Sequence, residues 1–546
     1  MTRAFAPRTG YDPWMPETLI VTADQIITMA GAAPRAFAVR DGRVVGTGPL
    51  AELRERHSAA EVLDFGAAVV APGFHDAHLH LGSTADQLLQ VDLSYPDVQS
   101  LAEVTRRIRD QAVTTPPGGW IVGSRYDDGK MAEDRPLTRF DLDEVAPDHA
   151  VLVRQVAGHW AVVNSRALAL SGIEDASQPP EGGAYGRDGA GHLNGVLYER
   201  ALVELVSSPA AGGRGIVPAN SLEDRLNGLD RASRMFAAAG LTSVCDASTA
   251  PEDIALFEAG RKRGALTLRV SMLVRHASYE ALRRQGTWPD GEFLRVTGVK
   301  GVLDGAIGGR TCLLEQPFEG TSDDHGIQAM PTRDLHDMIG MLARDGVRPC
   351  VHANGDRAIS LLLDQLEQVA PDTWPRLRPR VEHCSIVTES ILERLKKLGA
   401  VTTPFASYVN YHGNNLRKWY GDARLRRMFA HRSFLDWGVP VAAASDFGCG
   451  PFEPLLGMQS CVTREAWDGG TLGENQRISA YEALGLYTTG AAYATGEERV
   501  KGKLAPGYYA DFVVLGDNPL TADPTRLSQI PVLATYVAGQ RVWAAS

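Results

Sequence analysis

Eight apolar, β-type runs separated by amphipathic stretches constrain this chain more than anything else in it. Residues 69–80, 241–247, 268–274, 295–303, 348–352, 380–383, 400–404 and 439–445 read as strands. Between several of them, as at 225–239 and 334–345, apolar residues recur at helical spacing. Strand-then-helix repetition marks a parallel α/β fold, and eight such strands predict a closed (β/α)8 TIM-like barrel. The gap from 81 to 218 is too long for a βα connection. It predicts an insertion that carries strands at 120–122 and 151–153 and a Gly-rich loop at 181–195. Placed after the first strand, it would lie over the C-terminal mouth as a lid.

The two ends have another texture. Short β-type runs with tight turns occupy 19–70, and more lie at 510–515 and 531–543. Neither end has the apolar residues for its own core. Residues 1–72 and 495–546 are therefore expected to form one composite β-sandwich, leaving 73–494 as the barrel with its insertion at 81–218. At 546 residues the chain exceeds a single compact core. A net charge of −11 argues against nucleic acid or an anionic membrane as the main partner. Six scattered cysteines with no CxxC pair give neither a disulfide framework nor a zinc knuckle, which favours a reduced, cytoplasmic setting. Residues 1–16 lack an apolar leader core, and no apolar run is long enough to span a bilayer. The expected partner is a small-molecule substrate, with neither nucleic acid nor membrane, and with room for a homodimer.

The strand ends carry the chemistry. The first strand ends in His78 and His80, which at i and i+2 of a strand share a face. The fourth offers Lys300, the fifth ends in His352, the sixth in His383, and the eighth in Asp446. Active groups of barrel enzymes occupy this C-terminal rim. Neutral imidazoles suit zinc and similar borderline metals, and such a metal lowers the pKa of bound water toward neutrality. Asp446 can take a proton from that water and pass it to a leaving nitrogen. A neutral buried lysine becomes a useful ligand once carbon dioxide converts it to a carbamate. Glu382 alternates with His383 and is expected to point away from the barrel interior.

These residues, with the sequences around them, resemble the amidohydrolase superfamily, in the amidohydrolase-3 branch that includes N-substituted formamide deformylases. The matching motifs span nearly the whole chain: residues 38–45, 72–80 and 158–165, Lys300 with Asp304-Gly305, then 352–358, 381–383, 444–446, 501–504 and 510–511. The resemblance implies that His78, His80 and Asp446 hold one metal and that His352 and His383 hold a second. It also implies that Lys300 is carboxylated as a bridge, with one or two Zn2+ ions in the site. Asp446 is then the catalytic residue. His75 departs from the pattern, standing where relatives carry an apolar residue.

His159 and Trp160 of the insertion are candidate substrate contacts. Asp304 and Arg310 either line the mouth or form a loop salt bridge. Asp356 and Arg357 are expected to brace the loop after the fifth strand. Cys245 and Cys449 read as packing residues, while His57, His149, His192, His276, His325, His336, His412 and His431 read as surface residues. The activity expected is metal-dependent hydrolysis of an amide, an N-substituted formamide or a cyclic amide. The competing readings are ester hydrolysis, deamination or decarboxylation in the same barrel, and a non-catalytic regulator that keeps the metal site.

Overall fold

Seven strands make one parallel sheet, which we label β1 (Phe74–Leu79), β2 (Leu241–Thr249), β3 (Arg269–Arg275), β4 (Leu294–Val302), β5 (Pro349–Ala353), β6 (Arg380–His383) and β7 (Val401–Thr403). Each pairs with its neighbour in the chain, in the order β7-β6-β5-β4-β3-β2-β1. The computed structural model describes residues 18–546 apart from 32, 134, 207–213 and 287. The reading of residues 1–16 therefore lies outside the described residues.

The eighth run forms no regular strand, yet it bridges the two edges. Val441 and Ala444 make parallel bridges to Thr402 and Phe405. On the other side the Ala77 N–H donates to the Ala443 carbonyl (3.1 Å), and the Asp446 N–H to the His78 carbonyl (2.8 Å). Pro440 has no N–H to give, and Asp446 turns out of extended backbone at φ 52°. The ladder is thus interrupted at both ends, and the result is a nearly closed TIM-like barrel.

The run expected as one strand over 69–80 is two. Val69–Pro72 pairs antiparallel with Phe512–Leu515, in a different sheet. Gly73 then lets the chain step into the barrel, because a Cβ there would lie 2.2 Å from the Thr242 side chain. His80 lies beyond β1, at the N-cap of helix Leu81–Gln87 with φ −123° and ψ 75°. Its φ is still extended, so its ring stays on the side of His78 and the two imidazoles converge as the i, i+2 spacing predicts.

The helices follow local rules. Helix Leu222–Ala238 starts where the Ser221 side chain accepts the Asp224 N–H, and it buries Leu226, Leu229, Ala232 and Phe236 on one face. Helix Thr332–Asp345 ends at Gly346, left-handed at φ 67°.

Two smaller sheets come from the chain ends. One has the order Arg43–Gly48, Ala36–Arg40, Leu19–Thr22, Glu61–Asp64. The other runs Gln25–Ile26, Val69–Pro72, Phe512–Leu515, Val532–Val537, Gln540–Ala544. They share an apolar core that includes Val21, Phe37, Val70, Phe512 and Tyr536. Between β1 and β2 a six-stranded sheet runs from Val91–Asp92 to Gly183–Arg187. Its strands alternate between two cores, with Val151 and Val153 against helix Leu101–Thr114 and Ala150 and Leu152 on the opposite face. The Gly-rich stretch expected as a loop is instead an antiparallel hairpin, Gly183–Arg187 with Leu193–Glu199. All six cysteines are free and buried. Among the described residues no helix is long and apolar enough to cross a membrane.

Near the start of β3, Glu497 accepts from Lys501 Nζ and from Ser271 Oγ, both at 2.9 Å. Burial works to raise its pKa, but Lys501 outweighs that and holds it at about 2, below its usual 4.5. A depressed carboxylate stabilises the fold above its unfolded pKa and loses that contribution as pH falls. Glu497→Gln should cost roughly 3 kcal/mol near neutrality. In urea unfolding, the gap from wild type should narrow as pH falls from 4.5 toward about 2.

Candidate metal centre

Three potential ligand atoms, one each from His78, His80 and Asp446, lie within 4.8 Å of one another at the C-terminal ends of the barrel strands. His80 Nε2 is 3.0 Å and His78 Nε2 3.5 Å from Asp446 Oδ1. That oxygen is buried and has no aligned hydrogen-bond donor among the described residues. Two imidazole nitrogens and a carboxylate oxygen converging on one point are well placed to surround a cation. The donor set, two imidazoles and a carboxylate, suits zinc or a similar ion.

The second nitrogen of each ring decides what the first can do. His78 Nδ1 lies 2.5 Å from Glu382 Oε2, which fixes the proton there and leaves Nε2 as the lone-pair atom. His352 Nε2 is engaged by the Gly305 carbonyl (3.0 Å) and by Asn354 Nδ2 (3.1 Å), which leaves Nδ1 as the nitrogen without a hydrogen-bond partner among the described residues. His383 has a buried Nδ1 with no hydrogen-bond partner, and its Nε2 is 4.0 Å from Asp446 Oδ2. The His383 ring centroid lies 4.5 Å from that of His78 and 4.7 Å from that of His352. Burial keeps all three neutral: it pushes His78 down to about 4 and holds His352 and His383 well below the usual imidazole range. Lys300 Nζ is 3.4 Å from His78 Nε2, and burial lowers its pKa toward the neutral amine. Burial also works to raise Asp446, but His383, His80 and His78 outweigh it and keep the carboxylate ionised.

Backbone strain concentrates here. His383, Cys384, Asp446 and Glu199 all have positive φ (68°, 44°, 52° and 48°), a region that disfavours side chains. The φ of His383 also overturns the expectation for Glu382. Strict alternation fails at that strand end, so Glu382 and His383 both reach the interior. Glu382 is fully buried. Besides His78, it accepts from Arg380 Nε (2.7 Å), Arg380 Nη2 (2.8 Å) and Thr403 Oγ1 (2.8 Å).

Above these residues opens a cavity of about 1110 Å³, lined by His80, Lys300, His352, His383 and Asp446. His159 lines it too, from the inserted sheet. Its Nδ1 is 2.8 Å from Glu199 Oε2, and its ring centroid is 5.0 Å from that of His352. Burial alone would lower the His159 pKa, but Glu199 outweighs it and raises the value. Glu199 is further held by Thr311 Oγ1 at 3.1 Å. Nothing in the local sequence around Glu199 marked it.

The other candidates are placed elsewhere. Trp160 is buried in the core of the inserted sheet, beside Tyr126 and Tyr198, and does not line the cavity. Asp304 is fully buried and accepts the N–H groups of Leu313, Asn354 and Gly355, each at 2.9 Å. It thus shapes the loop after β5 and stands 3.4 Å from His352 Nε2. Arg310 is half-exposed, 3.8 Å from Asp128 and not paired to Asp304. Asp356 accepts from the Glu315 N–H and from Arg427. Of the presumed surface histidines, His149, His412 and His431 are buried. Cys449 lines the cavity, and Cys245 packs with Ala247, Leu273 and Cys350. His75 lies outside the cavity, beside Thr242 and Lys501, and neither ring nitrogen has a hydrogen-bond partner among the described residues.

Known proteins match the chain over nearly its whole length. A family model described as "Amidohydrolase family" matches residues 61–543. Over 545 residues the chain is 30% identical to an N-substituted formamide deformylase of Arthrobacter pascens, covering 96% of this chain and 98% of that one. A solved structure of an uncharacterized metal-dependent hydrolase from Pyrococcus furiosus matches with a TM-score of 0.70 at 25% identity, covering 92% of this chain and 100% of that one. Another, from Pyrococcus horikoshii OT3, gives 0.73 at 23% identity, covering 93% and 99%. A barrel with histidines and an aspartate at its strand ends, matched over nearly its full length, leads to one assignment: the chain belongs to the amidohydrolase family.

Proposed function

We propose that the protein is a metal-dependent hydrolase of C–N bonds in a small molecule, an amide, an N-substituted formamide or a cyclic amide. The observation that carries this reading is the buried, unpartnered Asp446 Oδ1 between His78 and His80 at the floor of the cavity. In this reading His78, His80 and Asp446 hold one zinc ion, and His352 and His383 hold a second. Lys300, whose pKa burial lowers, takes up carbon dioxide as the free amine and loses a proton, which makes it a second carboxylate in the site. Bound zinc would polarise the substrate carbonyl and lower the pKa of water. The chain's own residues do the rest. Asp446 accepts the proton of the attacking water and returns it to the departing nitrogen. Glu382 keeps the His78 proton on Nδ1. His159, whose pKa Glu199 raises, faces the cavity as a donor to the developing oxyanion.

Zinc-loaded protein incubated with N-formyl amines, acyl amides and lactams should release free amine from at least one class. Fully loaded protein that cleaves none of them would refute the hydrolase reading. On the substrate so found, His159→Ala should lower kcat/KM by about 10²-fold, and mainly through kcat.

A further inference from the structure

The cavity above the metal-site residues holds two partly buried arginines, Arg154 and Arg275, that make no ion pair among the described residues. Arg275 ends β3 and is the ladder neighbour of Lys300, so it stands on the rim beside the metal-site residues. Its Nε donates to the Ser248 carbonyl (2.9 Å) and to Ser248 Oγ (3.0 Å). That anchors the guanidinium and leaves both terminal nitrogens without a bond among the described residues. Arg154 comes from the inserted strand Ala150–Gln155, lines the same cavity and is half-buried. Among the described residues it has neither a hydrogen bond nor an ion pair. Burial, together with the charge of Arg275, lowers its pKa, while Asp86 opposes this. Asp86 itself is taken by Arg225 Nε (3.0 Å) and Asn220 Nδ2 (2.9 Å).

Of the other arginines in the cavity, Arg200 pairs with Glu204 (3.7 Å), Arg283 pairs with Asp345 (3.1 Å), and Arg344 is exposed. Arg125 pairs with Asp92 at 2.7 Å, and Glu199 is held by His159. Glu280, Asp334 and Asp337 line the cavity from helices His276–Gln285 and Thr332–Asp345, with no ion pair to either arginine. Two like charges, partly desolvated and facing one space, repel each other, and neither has an ion-pair partner among the described residues. A planar oxyanion between two guanidinium forks would satisfy both.

We infer that the substrate carries a carboxylate, away from the bond that is cleaved, and that Arg154 and Arg275 hold it. This rests on the amide-hydrolase reading above.

The test is a binding measurement that needs no turnover. The purified protein is titrated calorimetrically with N-formylphenylalanine, with its uncharged primary amide, and with inorganic phosphate. Wild type should prefer the carboxylate over the amide by roughly 10- to 100-fold. Arg154→Gln and Arg275→Gln should each erase most of that preference, and Arg154→Lys should restore part of it. Circular dichroism checks that each variant is folded, and two independent positions keep the test decisive if one variant fails to fold. A preference that survives in both folded variants would show the carboxylate bound elsewhere, directly at the metal for instance, and would overturn the inference. Phosphate bound more tightly than the carboxylate, with the same dependence on both arginines, would overturn the carboxylate assignment. Protein that shows the preference but hydrolyses no amide refutes the hydrolase reading and leaves the anion site standing. Protein that hydrolyses neutral and charged amides alike, with no preference in binding, does the reverse.

Discussion

Asp446→Asn is expected to lower kcat/KM by about 10⁴-fold, the upper end for removal of a group that both accepts and returns a proton. The substitution keeps the shape of the side chain but removes the charge that faces His78 and His80. It also replaces one carboxylate oxygen by an amide nitrogen that cannot accept a proton. The backbone role of residue 446, donating to the His78 carbonyl at 2.8 Å, is untouched, so the barrel should close normally. The loss should appear equally in kcat and kcat/KM, because the interaction is made in the transition state. Steady-state kinetics on the amide found by the substrate screen reads this directly. Activity within tenfold of wild type would remove Asp446 from the chemistry.

Glu382→Ala is expected to be the most damaging single change for stability. It strands the fully buried Arg380 guanidinium, whose remaining acceptors are the carbonyls of Ala77 and Ala494 and the sulfur of Cys245. Burial alone would raise Glu382, but Arg380 and His78 hold it well below the usual carboxylate range, so the folded state keeps it charged. Breaking a buried pair of this kind costs about 3–5 kcal/mol. His78 also loses the acceptor that fixes its tautomer, which should weaken metal binding by about 10- to 100-fold. Urea unfolding and zinc titration of the same preparation separate the two effects. Glu382→Gln, which keeps the volume and the bond to Thr403, should recover part of the stability and little of the metal affinity.

The sequence made these residues unequally visible. His78, Lys300, His352, His383 and Asp446 could be found because barrel chemistry sits at strand ends, and each ends or lies on an apolar run. His80 could be found through its i, i+2 spacing from His78, although it lies one residue past the end of the strand. Glu382 was misread because one left-handed residue, His383, breaks the period-two rule that placed it. Glu199, Arg154 and Arg275 could not be reached by pattern. The first two are delivered by the inserted sheet, whose docking over the mouth depends on contacts far apart in sequence. Trp160 was drawn into the site by its neighbour His159, but successive strand residues face opposite ways and Trp160 packs inward. His412 and His431 have polar neighbours in the chain, and only the tertiary fold buries them.

The most direct test of a metal-driven reaction at this site is activity before and after removal of the metal. Protein stripped with a chelator and verified metal-free by elemental analysis should lose amide hydrolysis and regain it on addition of zinc. The same treatment of His80→Ala should restore neither bound zinc nor activity. Stripped wild-type protein that hydrolyses its substrate at the full rate would contradict the assignment of His78, His80 and Asp446 as the centre of the chemistry.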